Sequence, residues 1–191
     1  YLTIPLVVQP VPEIELYGDE LICSNNPLFT KEISAGLLDE TTVSNYTYQW
    51  FLNNNQIIGE TNYTLTVNTE GIYTVEVTNS NSCVRTRTIT VTASNIATIE
   101  NVQVVDLSDE NSVTVLVTGL GDYEYSLDNE YWQTSNVFSN IEAGIYTVYV
   151  KDLNGCGVAT EEISVLGIPN YFTPNGDGYN DYWNIKGINS R

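Results

Sequence analysis

Apolar and polar positions alternate with a period of two along most of this chain, the signature of half-buried strands. In Tyr46-Thr47-Tyr48-Gln49-Trp50 the even positions share one face of a pleated strand. The pattern predicts short, evenly spaced strands over residues 13–16, 28–37, 46–52, 63–67, 72–78 and 84–92. A second set is predicted over 99–105, 112–117, 123–127, 145–151 and 160–165. Asn53-Asn54-Asn55 and Asn79-Ser80-Asn81-Ser82 read as hairpin turns, because Asn tolerates a left-handed backbone. Residues 1–12 alternate weakly and end in Gln9-Pro10-Val11-Pro12, which reads as the end of a preceding module running into a stiff linker.

The two sets of strands are related by an internal repeat. Gly71-Ile72-Tyr73-Thr74-Val75-Glu76-Val77 recurs as Gly144-Ile145-Tyr146-Thr147-Val148-Tyr149-Val150. In each copy a Cys follows twelve residues after the Gly, at Cys83 and Cys156. Upstream, Tyr46-Thr47-Tyr48 matches Tyr123-Glu124-Tyr125. The expected fold is all-β: tandem immunoglobulin-like β-sandwiches, residues 13–95 and 96–167. In each, the Tyr near the start of the penultimate strand is expected to fold back and hydrogen-bond the corner. Trp50 is expected in the first core. Leu127 takes the corresponding place in the second, with Trp132 compensating from a nearby turn or serving as a ligand platform.

Composition narrows the function. The 191 residues hold 24 Asp and Glu against 6 Lys and Arg, for a net charge of −18, and no His. Such an acidic chain is repelled by phosphate backbones, so nucleic acid is not an expected partner. Without His there is no His-based triad, imidazole metal site or histidine switch. The 14 Tyr, 22 Asn and 22 Thr favour strands and turns over helices. The apolar runs are too short to span a bilayer. Tyr1 and the absence of Met read as cut ends of something longer, and no signal peptide is recognisable.

Three cysteines carry the covalent chemistry. Cys23 and Cys83 would close a loop of about 60 residues, stabilising by about 4 kcal/mol in the chain-entropy view. Such a disulfide implies an oxidising compartment, whereas the alternative is two buried free thiols. Cys156 has no upstream counterpart in the second repeat and is expected as a free thiol, with only Lys151 near it in sequence.

The last segment differs from the rest. Phe172-Thr173-Pro174-Asn175-Gly176-Asp177-Gly178-Tyr179-Asn180-Asp181 resembles the opening of the gliding-motility-associated C-terminal domain. That domain is the type B sorting domain of Bacteroidetes type IX secretion substrates. The resemblance covers about the last 24 residues, 168–191, and implies the truncated start of a further β-sandwich. The second repeat, with Asp152-Leu153-Asn154-Gly155-Cys156 after its Gly-Ile-Tyr strand, is similar to repeats of large gliding adhesins. The first is similar to the immunoglobulin-like or PKD-like modules of such proteins. These resemblances imply export across the outer membrane, a cell-surface or extracellular location, and the translocon with its outer-membrane shuttle components as partners.

The same motif admits a chemical reading. Asn175, Asp177, Asn180 and Asp181 place oxygen side chains around a Gly turn, as in calcium loops, but without EF-hand spacing or a bidentate Glu. A tight Asx-and-Gly turn with no ion explains the pattern equally. The triplets at Asn45 and Asn62 have the form of glycosylation sequons, which arise by chance in a chain this rich in Asn and Thr. The leading expectation is a non-catalytic stalk and sorting region of a surface protein. The alternative is a carbohydrate-binding or spacer module of a secreted polysaccharide-degrading enzyme, with surface polysaccharide as ligand. An enzyme within this chain is not expected, since no carboxylate pair stands out by context.

Overall fold

The computed structural model describes residues 9–26, 28–108, 110–168, 173–178, 181–182 and 185–187. The chain divides into two compact units, Tyr1–Ala93 and Ser94–Arg191. In the first come β1 (Tyr17–Cys23), β2 (Lys31–Ser34), a 3-10 helix (Glu40–Asn45), β3 (Tyr46–Leu52), β4 (Asn55–Gln56), β5 (Thr64–Val67), β6 (Gly71–Asn79) and β7 (Val84–Ser94). A five-stranded sheet has the order β1-β7-β6-β3-β4, and β2 pairs with β5.

Period-two patterning fills the first core. Tyr73, Val75 and Val77 are the inward positions of β6 and are buried with Trp50, Ile33, Leu65, Val67, Ile89 and Val91. Burying each aliphatic side chain of this kind stabilises by about 1.5–3 kcal/mol. Trp50 is wholly buried, as expected, and its indole N–H donates to the Asn62 carbonyl at 2.9 Å. Asn53 and Asn54 both take positive φ, 48° and 65°, and close the β3–β4 hairpin where Leu52 faces Asn55. At the next expected turn it is Ser82, not an Asn, that turns left-handed at φ 62°.

Besides β4, which the sequence pattern does not predict, two strands differ from expectation. The strand expected over 28–37 shrinks to β2, since Gly36 at φ 70° ends the extended run and Leu37 makes only a bridge with Ile14. The strand expected over 13–16 is that same bridge, and the regular strand starts at Tyr17. The direction of β1 matters below. Thr88 N–H donates to the Leu16 carbonyl at 2.8 Å, and the Thr92 hydroxyl to the Glu20 carbonyl at 3.3 Å. Both contacts join residues 72 apart, so β1 runs parallel to β7.

The second unit contains β8 (Thr98–Val105), β9 (Ser112–Thr118), β10 (Tyr123–Ser126), β11 (Val137–Ser139), β12 (Gly144–Asp152) and β13 (Val158–Val165). Two three-stranded sheets, β10-β12-β13 and β11-β9-β8, enclose Val113, Val115, Tyr125, Val148, Val150, Ile163 and Val165. β11 escapes the sequence pattern because it has three residues and only Phe138 packs on the core.

The repeat holds at the level of register. Tyr48 faces Val77 as Tyr125 faces Val150, and Tyr46 faces Asn79 as Tyr123 faces Asp152. No helix among the described residues is long and apolar enough to cross a membrane.

Candidate functional site

The repeated residues build two local devices. The first is the corner. The Tyr73 hydroxyl donates to the Thr69 carbonyl and the Tyr146 hydroxyl to the Glu142 carbonyl, each four residues back. The second is the turn that carries the repeated Cys. Asn79 Oδ1 accepts the Cys83 N–H at 3.0 Å, and Asp152 Oδ2 accepts the Cys156 N–H at 3.0 Å. Asp152 is buried, and its other oxygen accepts the Ser94 hydroxyl at 3.0 Å. Asn79 and Asp152 each stand eight residues after the repeat Gly, so aligning the copies further would have exposed both anchors.

Sulfur chemistry departs from the expected assignment. Cys83 is a free thiol, whereas Cys23 and Cys156 are both disulfide-bonded. The expected Cys23–Cys83 bridge is therefore corrected, and the reason lies in strand direction. Cys23 ends β1, while Cys83 precedes β7. Because these strands are parallel, the two cysteines lie at opposite ends of the sheet. About twelve residues of strand at roughly 3.3 Å each separate their levels, against a Cα–Cα limit near 7 Å for a disulfide. The expected free thiol at Cys156 is likewise corrected. That expectation rested on the missing upstream Cys in the second repeat, and the repeat symmetry does not extend to sulfur pairing.

The aromatic candidates separate cleanly. Trp132 is half-buried but does not belong to the second core cluster. Lys151 Nζ stands 4.1 Å from its ring centre, a cation–π contact, and also pairs with Glu124 at 3.2 Å. Trp132 therefore does not take the place of Trp50. Instead an open hollow of about 340 Å³ lies beside it, lined among others by Leu127, Tyr131, Phe138 and Tyr146. The loop carrying Tyr131 is held by Asp128, whose Oδ1 accepts the N–H groups of Glu130 and Tyr131 and the Ser126 hydroxyl, each at 2.9 Å. These bonds, led by that from Tyr131, hold the Asp128 carboxyl below its usual range.

The C-terminal motif forms a closed turn. Asp181 Oδ1 accepts the Asn175 and Gly176 N–H groups at 3.0 and 2.6 Å, and Oδ2 accepts Gly178 N–H at 2.7 Å. The Asn175 amide donates to Asp177 Oδ2 at 2.8 Å. The Gly176 and Gly178 bonds, then that from Asn175, depress the Asp181 carboxyl below its usual value. Of the expected calcium ligands, Asn175, Asp177 and Asp181 are brought together, and Asn180 lies outside the described residues, as does Phe172 of the motif. N–H donors converge on Asp181, which is the chemistry of an Asx-and-Gly turn. Among the described residues no three His, Cys, Asp or Glu side chains are placed to hold a metal ion.

No family model matches the chain, and no curated protein matches it. Solved structures do. The chain is similar to the N-terminal eight Ig domains of Down Syndrome Cell Adhesion Molecule, isoform 1.30.30, at 13% identity and a TM-score of 0.55, over 81% of this chain and 27% of that one. It is similar to the I-band fragment I67-I69 from titin at 14% identity and a TM-score of 0.54, over 85% of this chain and 68% of that one. The chain thus spans only 27% of the adhesion-molecule chain it matches. These likenesses show the fold, which is all-β and immunoglobulin-like.

Proposed function

We propose that this chain is a non-catalytic region of an exported surface protein. Its two immunoglobulin-like repeats act as spacer and adhesive stalk, and residues 168–191 open a type B sorting domain for type IX secretion. The observation that carries the stalk reading is what the repeats have in common. The corner Tyr73 and Tyr146, the core Val75 and Val148, the strand Tyr48 and Tyr125, and the turn anchors Asn79 and Asp152 all serve packing or backbone hydrogen bonding. A unit copied for its scaffold, whose one shared reactive group is a Cys left free in one copy and disulfide-bonded in the other, suits spacing and adhesion better than catalysis.

Two further observations support an exported fate. The disulfide state of Cys23 and Cys156 suits an oxidising compartment. A net charge of −18 keeps surface chains soluble and apart. The export route rests on the resemblance of residues 172–181, and with it the translocon and its outer-membrane shuttle components as partners.

The test uses the natural gene product in its own host. Surface protease accessibility on intact cells is compared between wild-type cells, translocon-deficient cells and cells lacking residues 172–181 of this chain. Accessibility in wild type alone is the expected result. Equal surface exposure in all three overturns the export reading.

A further inference from the structure

The second repeat differs from the first at the core position of Trp50. Register equates Tyr46 with Tyr123 and Tyr48 with Tyr125, so position 127 corresponds to Trp50. Trp50 is wholly buried and anchored by its indole N–H. Leu127 lacks the indole, is only half-buried, and lies just past the end of β10. Trp132 does not fill the gap, since it stands outside the core under Lys151. Beside Leu127 lies the hollow of about 340 Å³, lined also by Trp132, Phe138, Ile141 and Tyr146.

We propose that this hollow binds a single pyranose ring of an uncharged glycan. Its volume falls at the small end of ligand sites, roughly 300–1,000 Å³, which suits one ring and not an extended ligand. The walls are apolar and aromatic, matching the C–H face of a sugar. The rim is polar, matching the hydroxyl edge. Asn140 and Glu142 line it, and no described group hydrogen-bonds their side chains. Tyr131 stands at the mouth, 79% exposed, on a backbone already fixed by Asp128, so little order is lost on binding. A purely apolar partner would leave the rim groups unpaired as they lose water. An anionic glycan would meet Asp128, Glu142 and a chain of net charge −18.

The test is native affinity electrophoresis of the whole 191-residue chain in gels containing xylan, laminarin or mannan, with alginate as the anionic control. Retardation in at least one neutral polysaccharide and none in alginate is expected. Tyr131→Ala should weaken that retardation at least about tenfold, the loss of a well-placed contact. Leu127→Trp, which sets an indole into the lining of the hollow, should abolish it while the thermal midpoint holds. No retardation by any neutral polysaccharide overturns the proposal, as does preference for alginate. Retention undiminished in both variants overturns it too. If Leu127→Trp does not fold, the exposed Tyr131 variant decides. Failure here leaves the export reading intact, because surface accessibility tests that separately.

Discussion

Tyr73 donates its hydroxyl to the Thr69 carbonyl at 3.0 Å, and Tyr146 repeats the contact with Glu142 at 2.9 Å. Each bond closes the corner that leads into the strand bearing the Gly-Ile-Tyr-Thr-Val pattern. A net intramolecular hydrogen bond is worth about 1 kcal/mol. Tyr73→Phe, at the more buried corner, should lower unfolding stability by about 1 kcal/mol in urea titration, and Tyr146→Phe by the same or less. Unchanged midpoints in both would remove the corner from the account of the repeat.

Alkaline titration tests the same tyrosines. Burial, with smaller contributions from Tyr63 and Tyr46, pushes the Tyr48 hydroxyl up to about 12. Its proton is held by the Val43 carbonyl at 2.7 Å. Burial also raises Tyr63, Tyr73, Tyr125 and Tyr146. A phenol whose folded pKa is raised contributes stability that is fully present below its unfolded value near 10. That contribution is lost as pH climbs through the folded value. Absorbance at the phenolate band should therefore rise in two phases among the 14 Tyr, with unfolding accompanying the later one. A single phase near pH 10 in folded protein would contradict the burial of these side chains.

The thiol count distinguishes the two cysteine assignments. Denatured but unreduced protein should release one thiol per chain to an aromatic disulfide reagent, and Cys83→Ser should bring it to zero. A rise to two thiols in Cys83→Ser, from Cys23 and Cys156, would restore the assignment drawn from sequence.

That assignment shows what a sequence pattern can and cannot carry. The repeat found the turn bearing Cys83, but periodicity put a strand at 13–16 and missed the one that ends in Cys23, and neither signal says which way β1 runs beside β7. Strand direction depends on pairing between residues 72 apart, and no local signal encodes it. The corner tyrosines and Trp50 were legible because each sits at a fixed offset within one strand and its turn. The role of Trp132 was not, since it immediately precedes the isolated Tyr125–Gln133 bridge and is followed by Gln133, Thr134 and Ser135, which leaves no period to read. Leu127 signalled the hollow only through its mismatch with Trp50, and the hollow needed Phe138 on the unrecognised β11 as a wall.

Gly36 is the position where a single methyl group should be felt most in the first unit. Its φ of 70° is left-handed, and a Cβ there would lie 1.7 Å from Arg87 Nη1 and 2.7 Å from Arg87 Cζ. The Arg87 side chain is 11% exposed and bonds Glu15 at 3.0 Å, so it has little room to retreat. Gly36→Ala should cost about 1–3 kcal/mol from backbone strain, with displacement of the guanidinium adding to it. Glu15→Gln should cost less than about 1 kcal/mol, because Glu15 is 60% exposed. Equal and small losses in both variants would show that Arg87 moves aside freely.

The C-terminal turn gives the last test. Asp181 collects three backbone N–H groups, and its carboxyl is depressed by those from Gly176 and Gly178 and then by that from Asn175. A carboxylate with a depressed folded pKa contributes stability that is present above its unfolded value, near 3.8–3.9. That stability is lost as pH falls through the lower folded value. The amide resonances of Gly176 and Gly178 should therefore hold their positions down to about pH 4 and move only below it. Asp181→Asn, which trades one accepting oxygen for a donor, should shift both amides at neutral pH and leave the two sandwich units unaltered. Calcium chloride should not move either resonance, since the turn is closed by N–H donors. A saturable calcium-dependent shift of Gly176 and Gly178 would instead establish the loop as a cation site.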